Sequence, residues 1–177
     1  MSTKNWNQHF GIAWDCGSEI VDAHAHLIDQ KFPEFSLKDD ENNWFSDSDL
    51  RGGWTVVFFY PKDGSPGCTI ESCGFRDNHE EFKALGATLI GVSSDTVQRH
   101  RRFKEKHNLK YKLLVDDRGR LAKKLRLKRT LGFMRARVTF IIDPEVMIRG
   151  TITAQFSPKR HVYHALRKLR ELTTTDI

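Results

Sequence analysis

The chain has 177 residues, 38% hydrophobic and 11% aromatic, enough to bury the core of one globular domain and too apolar for a disordered tail. No apolar run approaches the roughly 20 residues of a membrane-spanning helix, and the N-terminus has only Lys4 as an early basic residue with no long apolar stretch behind it. Three cysteines do not make a secreted disulfide framework, so a reducing, cytoplasmic setting is expected; the net charge of +6 bears on association rather than on fold.

Residues 1–31 read as an N-terminal extension. Trp6, Phe10 and Trp14 make it too apolar for a free linker, so partial packing on the domain or on a partner is expected. Cys16 has no motif around it and reads as a passive thiol. His24 and His26 form a His-x-His pair, which opens a metal site when it follows an apolar strand in certain barrel enzymes. Those barrels need about 250 residues and further ligands from later strands. Ordinary surface histidines are therefore expected.

The domain is placed at residues 32–174. An extended segment at 32–37 and an acidic turn at 39–43 precede an apolar run, residues 54–59, that reads as a buried strand. Tyr60-Pro61 ends it, and Gly64, Ser65, Pro66 and Gly67 make a turn. From Cys68 the spacing of Ile70, Phe75, Phe82 and Leu85 predicts one helix, closed by Gly86. A strand over 87–92 follows, then a helix capped by Ser94 or Asp95 and running to about His107. A strand over 113–115 and a short helix over about 116–127 come next. A hairpin of 138–142 and 146–153 turns at Asp143-Pro144-Glu145. The last helix, about 158–172, puts Val162, Ala165, Leu166, Leu169 and Leu172 on one face, with Arg160, Arg167, Lys168 and Arg170 in water. This is an α/β pattern with a mixed sheet and helices on both faces.

Cys68 stands at the start of its helix, where unpaired backbone N–H groups and the helix dipole favour an ionised sulfur. Cys73 follows five residues later. An ionised thiol with a second thiol close behind it is what redox chemistry needs.

Here the chain resembles the peroxiredoxins, and most closely the bacterioferritin comigratory protein or peroxiredoxin Q subgroup. The signature Pro-x-x-x-Thr/Ser-x-x-Cys is met by Pro61, Ser65 and Cys68, inside a longer similar string running from Phe59 to Asp77. Gly91-Val92-Ser93-Ser94-Asp95 and Arg137-Val138-Thr139-Phe140-Ile141-Ile142-Asp143 look like two further family blocks in the expected order. The likeness covers residues 32–172 and implies a thioredoxin-like fold. It implies a thiol peroxidase for hydrogen peroxide and organic hydroperoxides, with Cys68 as the attacking thiol and Arg137 as the nearby cation. Ser65 would orient the peroxide and Pro61 would stiffen the loop. By the same resemblance, Cys73 resolves the Cys68 sulfenic acid as an internal disulfide, and thioredoxin or a similar dithiol reduces it. No cysteine lies beyond Cys73, so a C-terminal resolving arm is excluded.

No cofactor or metal is implied, and a monomer or weak dimer is expected. The segment 123–137 is strongly basic and precedes or includes Arg137, so it could border the active-site mouth or attract an acidic partner. The competing reading is a redox-sensing binding protein that uses this segment for an acidic partner or nucleic acid. Stacking aromatics are missing there apart from Phe133, so nucleic acid is not expected. A thioredoxin-type disulfide reductase is disfavoured because the thiols are spaced Cys-x4-Cys rather than Cys-x2-Cys.

Overall fold

The computed structural model describes residues 23–127 and 136–174. The apolar run of the central strand folds as expected: β3 spans Trp54–Phe59 and buries every residue after Trp54. It pairs in parallel with β4 (Ala87–Ser93) and antiparallel with β6 (Val138–Ile142). β5 (Lys112–Val115) adds to β4 in parallel, and β1 (Ser36–Asp39) and β2 (Trp44–Ser46) extend that edge as an antiparallel hairpin. β7 (Ile148–Thr153) closes the other edge against β6, giving the order β2-β1-β5-β4-β3-β6-β7. The mixed sheet is thus present, and the extended segment before β3 becomes a hairpin with a short 3-10 turn at Asp47–Leu50.

Alternation along the strands splits the core in two. Val56 and Phe58 of β3 face one layer, lined by residues of α1 (Pro66–Asp77), α2 (His79–Ala84), α3 (Val97–His107) and α5 (Pro158–Thr174). Val57 and Phe59 face the other, covered by α4 (Arg120–Lys124), the two 3-10 turns and the segment before β1. Helices do cover both faces, but most lie on the Cys68 side.

Four local departures have identifiable causes. The helix expected from Cys68 to Gly86 is two helices, broken where Asn78 turns its side-chain amide onto Gly74 O at 2.7 Å; Gly86 still ends the second, at φ +73°. Helix α3 is capped by Thr96 and not by Ser94 or Asp95, because Asp95 is drawn inward to accept from Ser93 Oγ and from the Asp63 amide, both at 2.8 Å. Strand β7 starts two residues later than expected because Val146 adopts φ +68°, held there by its buried side chain and an amide bond to Asp143 O. His24 lies beside a 3-10 turn, Ala25–Leu27, rather than on a strand; it is buried and its Nδ1 meets Thr153 Oγ1 at 3.0 Å.

Residues 23–31 pack onto the domain. The Asp29 amide donates to Ile148 O, the Ile148 amide donates to Gln30 O, and Leu27 is buried. Trp6, Phe10, Trp14 and Cys16 lie outside the described residues, as does the part of the basic segment from 128 to 135. Among the described residues no helix is long and apolar enough to cross a membrane, and no group of three or more His, Cys, Asp or Glu side chains is placed to hold a metal ion.

Candidate active site

The loop between β3 and α1 is fixed from beneath by buried polar groups. Tyr60 donates its hydroxyl to Asp63 Oδ1 at 2.7 Å, and Asp63 Oδ2 lies 2.7 Å from His100 Nδ1 on α3. His100 Nε2 in turn reaches Leu114 O on β5 at 3.1 Å, and the Asp63 amide donates to Asp95. Asp63 is thus tied to α3 and to the segment after β4, which holds the middle of the loop on the sheet.

Ser65 is the N-cap residue of α1, and Pro66 occupies the first helical position, where its missing N–H costs nothing. The helical ladder starts with the Thr69 amide on Ser65 O at 2.9 Å. The amides of Gly67 and Cys68 therefore precede the first intrahelical bond. The Ser65 hydroxyl donates to Lys62 O at 3.1 Å.

Cys68 is fully buried, which by itself suits an inert core thiol. Its partner, however, is a cation. Arg137, just before β6, is also buried, and its Nη2 donates to Cys68 Sγ at 3.4 Å. The approach is close enough that a Cβ at Gly67 would lie 3.2 Å from Nη2, so the glycine makes room for the guanidinium. Gln155 clamps Arg137 from behind: its side-chain Oε1 accepts the Arg137 amide at 2.7 Å and its carbonyl accepts Nε at 3.3 Å. The other guanidinium nitrogen, Nη1, is bonded to Glu71 Oε2. Burial works against the charge on Arg137, but Glu71 and Cys68 together hold its pKa above the ordinary value.

Glu71 and His161 were not singled out by the sequence, although both carried a signal. Glu71 lies three residues after Cys68, so a helix puts the two on one face. His161 falls four residues before Ala165 on the buried stripe of α5. His161 Nε2 lies 3.2 Å from Ala154 O, which can only accept, so the neutral ring donates from Nε2. Its Nδ1 then accepts from the Thr139 hydroxyl at 2.9 Å and lies 3.7 Å from Glu71 Oε1. That carboxyl oxygen has no hydrogen-bond partner among the described residues. Burial pushes Glu71 up to about 8, with Arg137 pulling the other way. Burial pulls His161 down to about 3, with the Ala154 carbonyl opposing and Arg137 assisting.

These shifts have opposite signs in stability. The unfolded chain takes up a proton at His161 before the folded one does, so stability is lost as pH falls from about 6.5 toward 3. Folded Glu71 holds its proton longer, so its contribution is lost as pH rises from about 4.5 to 8. His161→Gln removes only the first effect. Denaturation at pH 7 and pH 5 should show its stability deficit against wild type shrinking by about 2 kcal/mol at the lower pH. An unchanged deficit would mean that His161 takes up its proton in the folded protein as readily as in the unfolded chain.

Cys73 lies on the same helix as Cys68, half-buried, and both are free thiols. Of the described part of the basic segment, Arg137 sits at Cys68 while Lys123 and Arg126 lie elsewhere. Lys123 and Arg126 line a cavity of about 470 Å³ with Phe59, Ser93 and Asp116, and neither Cys68 nor Arg137 borders it.

Comparison with known proteins bears on the family and the fold. The AhpC/TSA family model matches residues 28–151. The peroxiredoxin Bcp of Bacillus subtilis is 43% identical over 155 residues, covering 82% of this chain and 96% of that protein. The chloroplastic peroxiredoxin Q of Sedum lineare is 36% identical over 183 residues, covering 97% of this chain and 98% of the relative. Among solved structures, peroxidoxin BcpB of Mycobacterium tuberculosis is 34% identical, with a TM-score of 0.76 over 82% of this chain and 97% of the other. The Xanthomonas campestris bacterioferritin comigratory protein, studied for alkyl peroxide reduction, is 27% identical, with a TM-score of 0.74 over 78% of this chain and 92% of the other. The fold is the thioredoxin-like fold of these peroxiredoxins, and the chain belongs to the AhpC/TSA family, among its Bcp and peroxiredoxin Q members.

Proposed function

We propose that this protein is a peroxidase in which Cys68 attacks hydrogen peroxide or an organic hydroperoxide and Cys73 resolves the product. The observation that carries this is the buried Cys68 sulfur facing the Arg137 guanidinium at 3.4 Å. The sulfur attacks one peroxide oxygen, the O–O bond breaks, and the other oxygen leaves as hydroxide or alkoxide. Negative charge moves along S–O–O, and Arg137 Nη2 with the amides of Gly67 and Cys68 can receive it. Ser65 would have to give up its bond to Lys62 O to orient the substrate.

Resolution requires movement. Both thiols lie within α1, so five residues of helix separate their Cα atoms by about 8–9 Å. A disulfide needs about 4.4–6.8 Å. The segment 68–74 must therefore unwind to close the bond, breaking its own ladder and the contact of Gly74 with Val162 on α5, where a Cβ would come within 3.0 Å. Amide hydrogen exchange should show strong protection of 68–74 in the reduced protein and loss of it in the disulfide form. Equal protection in both forms would exclude an intrahelical Cys68–Cys73 bond.

The reading is tested by supplying thioredoxin, its reductase and NADPH with hydrogen peroxide or an alkyl hydroperoxide. Steady consumption with a Cys68–Cys73 disulfide as intermediate is expected. A single oxidation with no turnover by any dithiol donor would favour a redox sensor instead.

A further inference from the structure

Cys73 has a partner that peroxide cleavage does not use. Its Sγ lies 3.8 Å from Nδ1 of His107, the last residue of α3. Two contacts hold the imidazole there. Its ring stands edge-on to Phe103, with centroids 4.9 Å apart, and its backbone carbonyl accepts from Arg76 Nη1 at 2.7 Å. Arg76 lies three residues beyond Cys73 on α1, so this bond ties the Cys73 turn to the end of α3.

We propose that His107 is the general base that takes the proton of the Cys73 thiol and so prepares the resolving thiolate. The inference rests on the reading of Cys73 as the resolving cysteine. His107 Nδ1 accepts the S–H proton, and the Cys73 thiolate attacks the sulfenic sulfur of Cys68. The S–S bond forms as the S–O bond breaks. The hydroxide that leaves takes a proton from water and His107 returns its own to solvent, so a thiol and a sulfenic acid give a disulfide and one water. Cys73 is oxidised and the Cys68 sulfur is reduced.

The surroundings suit this transfer. The charged and titratable groups facing the pair are Arg76 and Asp77 on α1, Lys106 on α3, and Tyr111 before β5. Arg76 is paired with Asp77, its Nε donating at 2.8 Å. Burial, then Lys106 and Arg76, hold His107 below its ordinary value, which keeps the ring neutral and able to accept at neutral pH. The Tyr111 hydroxyl is committed to Ser72 O at 2.8 Å and does not compete for the proton.

The thiolate and not the thiol is the nucleophile, so a base that removes the proton as the sulfur attacks speeds the step most where the thiol is still protonated. The test uses the full-length protein with and without His107→Gln. Rapid mixing with one equivalent of hydrogen peroxide, acid quench and mass spectrometry follow sulfenic acid and disulfide separately. Sulfenic acid should form at the wild-type rate, while disulfide formation slows by about 10- to 30-fold at pH 7 and recovers toward pH 10. Alkylation of Cys73 in the reduced Cys68→Ser protein, read by peptide mapping, needs no helix unwinding and should show the same pH-dependent deficit. Equal rates, or a deficit that is the same at every pH, would overturn the role of His107. If Cys73→Ser still forms an internal disulfide, Cys68 has paired with Cys16 and the resolving assignment itself fails, which is a different result.

Discussion

Cys68→Ser is expected to reduce peroxide consumption to the rate of buffer alone. A serine hydroxyl is not ionised near neutral pH and its oxygen cannot accept a second oxygen, so neither the nucleophile nor the sulfenic product exists. The rest of the site would survive the change, because Arg137 stays clamped by Gln155 and bonded to Glu71. Loss of activity with an unchanged melting temperature would therefore locate the chemistry in the sulfur. Cys73→Ser should behave differently: one rapid equivalent of peroxide is consumed, sulfenic acid accumulates, and turnover with thioredoxin stops. A Cys73→Ser protein that never forms sulfenic acid would contradict the division of roles, and so would a Cys68→Ser protein that still turns over.

Arg137→Met should slow peroxide attack by about 10²–10³, the usual effect of losing one charge-assisted donor, or roughly 2.7–4 kcal/mol. The buried position of the guanidinium is the reason to expect the full effect, since little water can replace it. The same guanidinium holds Cys68 through Nη2 and Glu71 through Nη1, so its removal also strands a buried carboxyl. Glu71 would then keep its proton, and part of any loss in stability would belong to it. The double variant Arg137→Met/Glu71→Gln separates the two effects: the stability should largely return and the rate should not. Arg137→Lys should rescue little, because one ammonium cannot reproduce the two-nitrogen fork. A single variant with wild-type peroxide kinetics would show that another cation serves Cys68.

Local sequence determined the central strand, the rigid turn and the helix start at Cys68, because aromatic and β-branched runs, Pro-Gly turns and N-terminal helix positions act over a few residues. The stripe on α5 and the glycine ending α2 were legible for the same reason. That Arg137 belongs beside Cys68 came from resemblance to a family, since the two are 69 positions apart and no local rule links them. Tertiary structure alone decided how the guanidinium is held. Glu71, Gln155 and His161 come from α1, the segment after β7, and α5, and only the packing of α1 and α5 against the sheet brings them to Arg137. The same holds for His107, which is an ordinary helix-terminal histidine in sequence. It becomes the neighbour of Cys73 because α1 and α3 line one face of the sheet and Arg76 ties their ends together. Spacing within an element is set by backbone geometry, whereas proximity between elements is set by which apolar faces must be buried together, and that choice is made by the whole core.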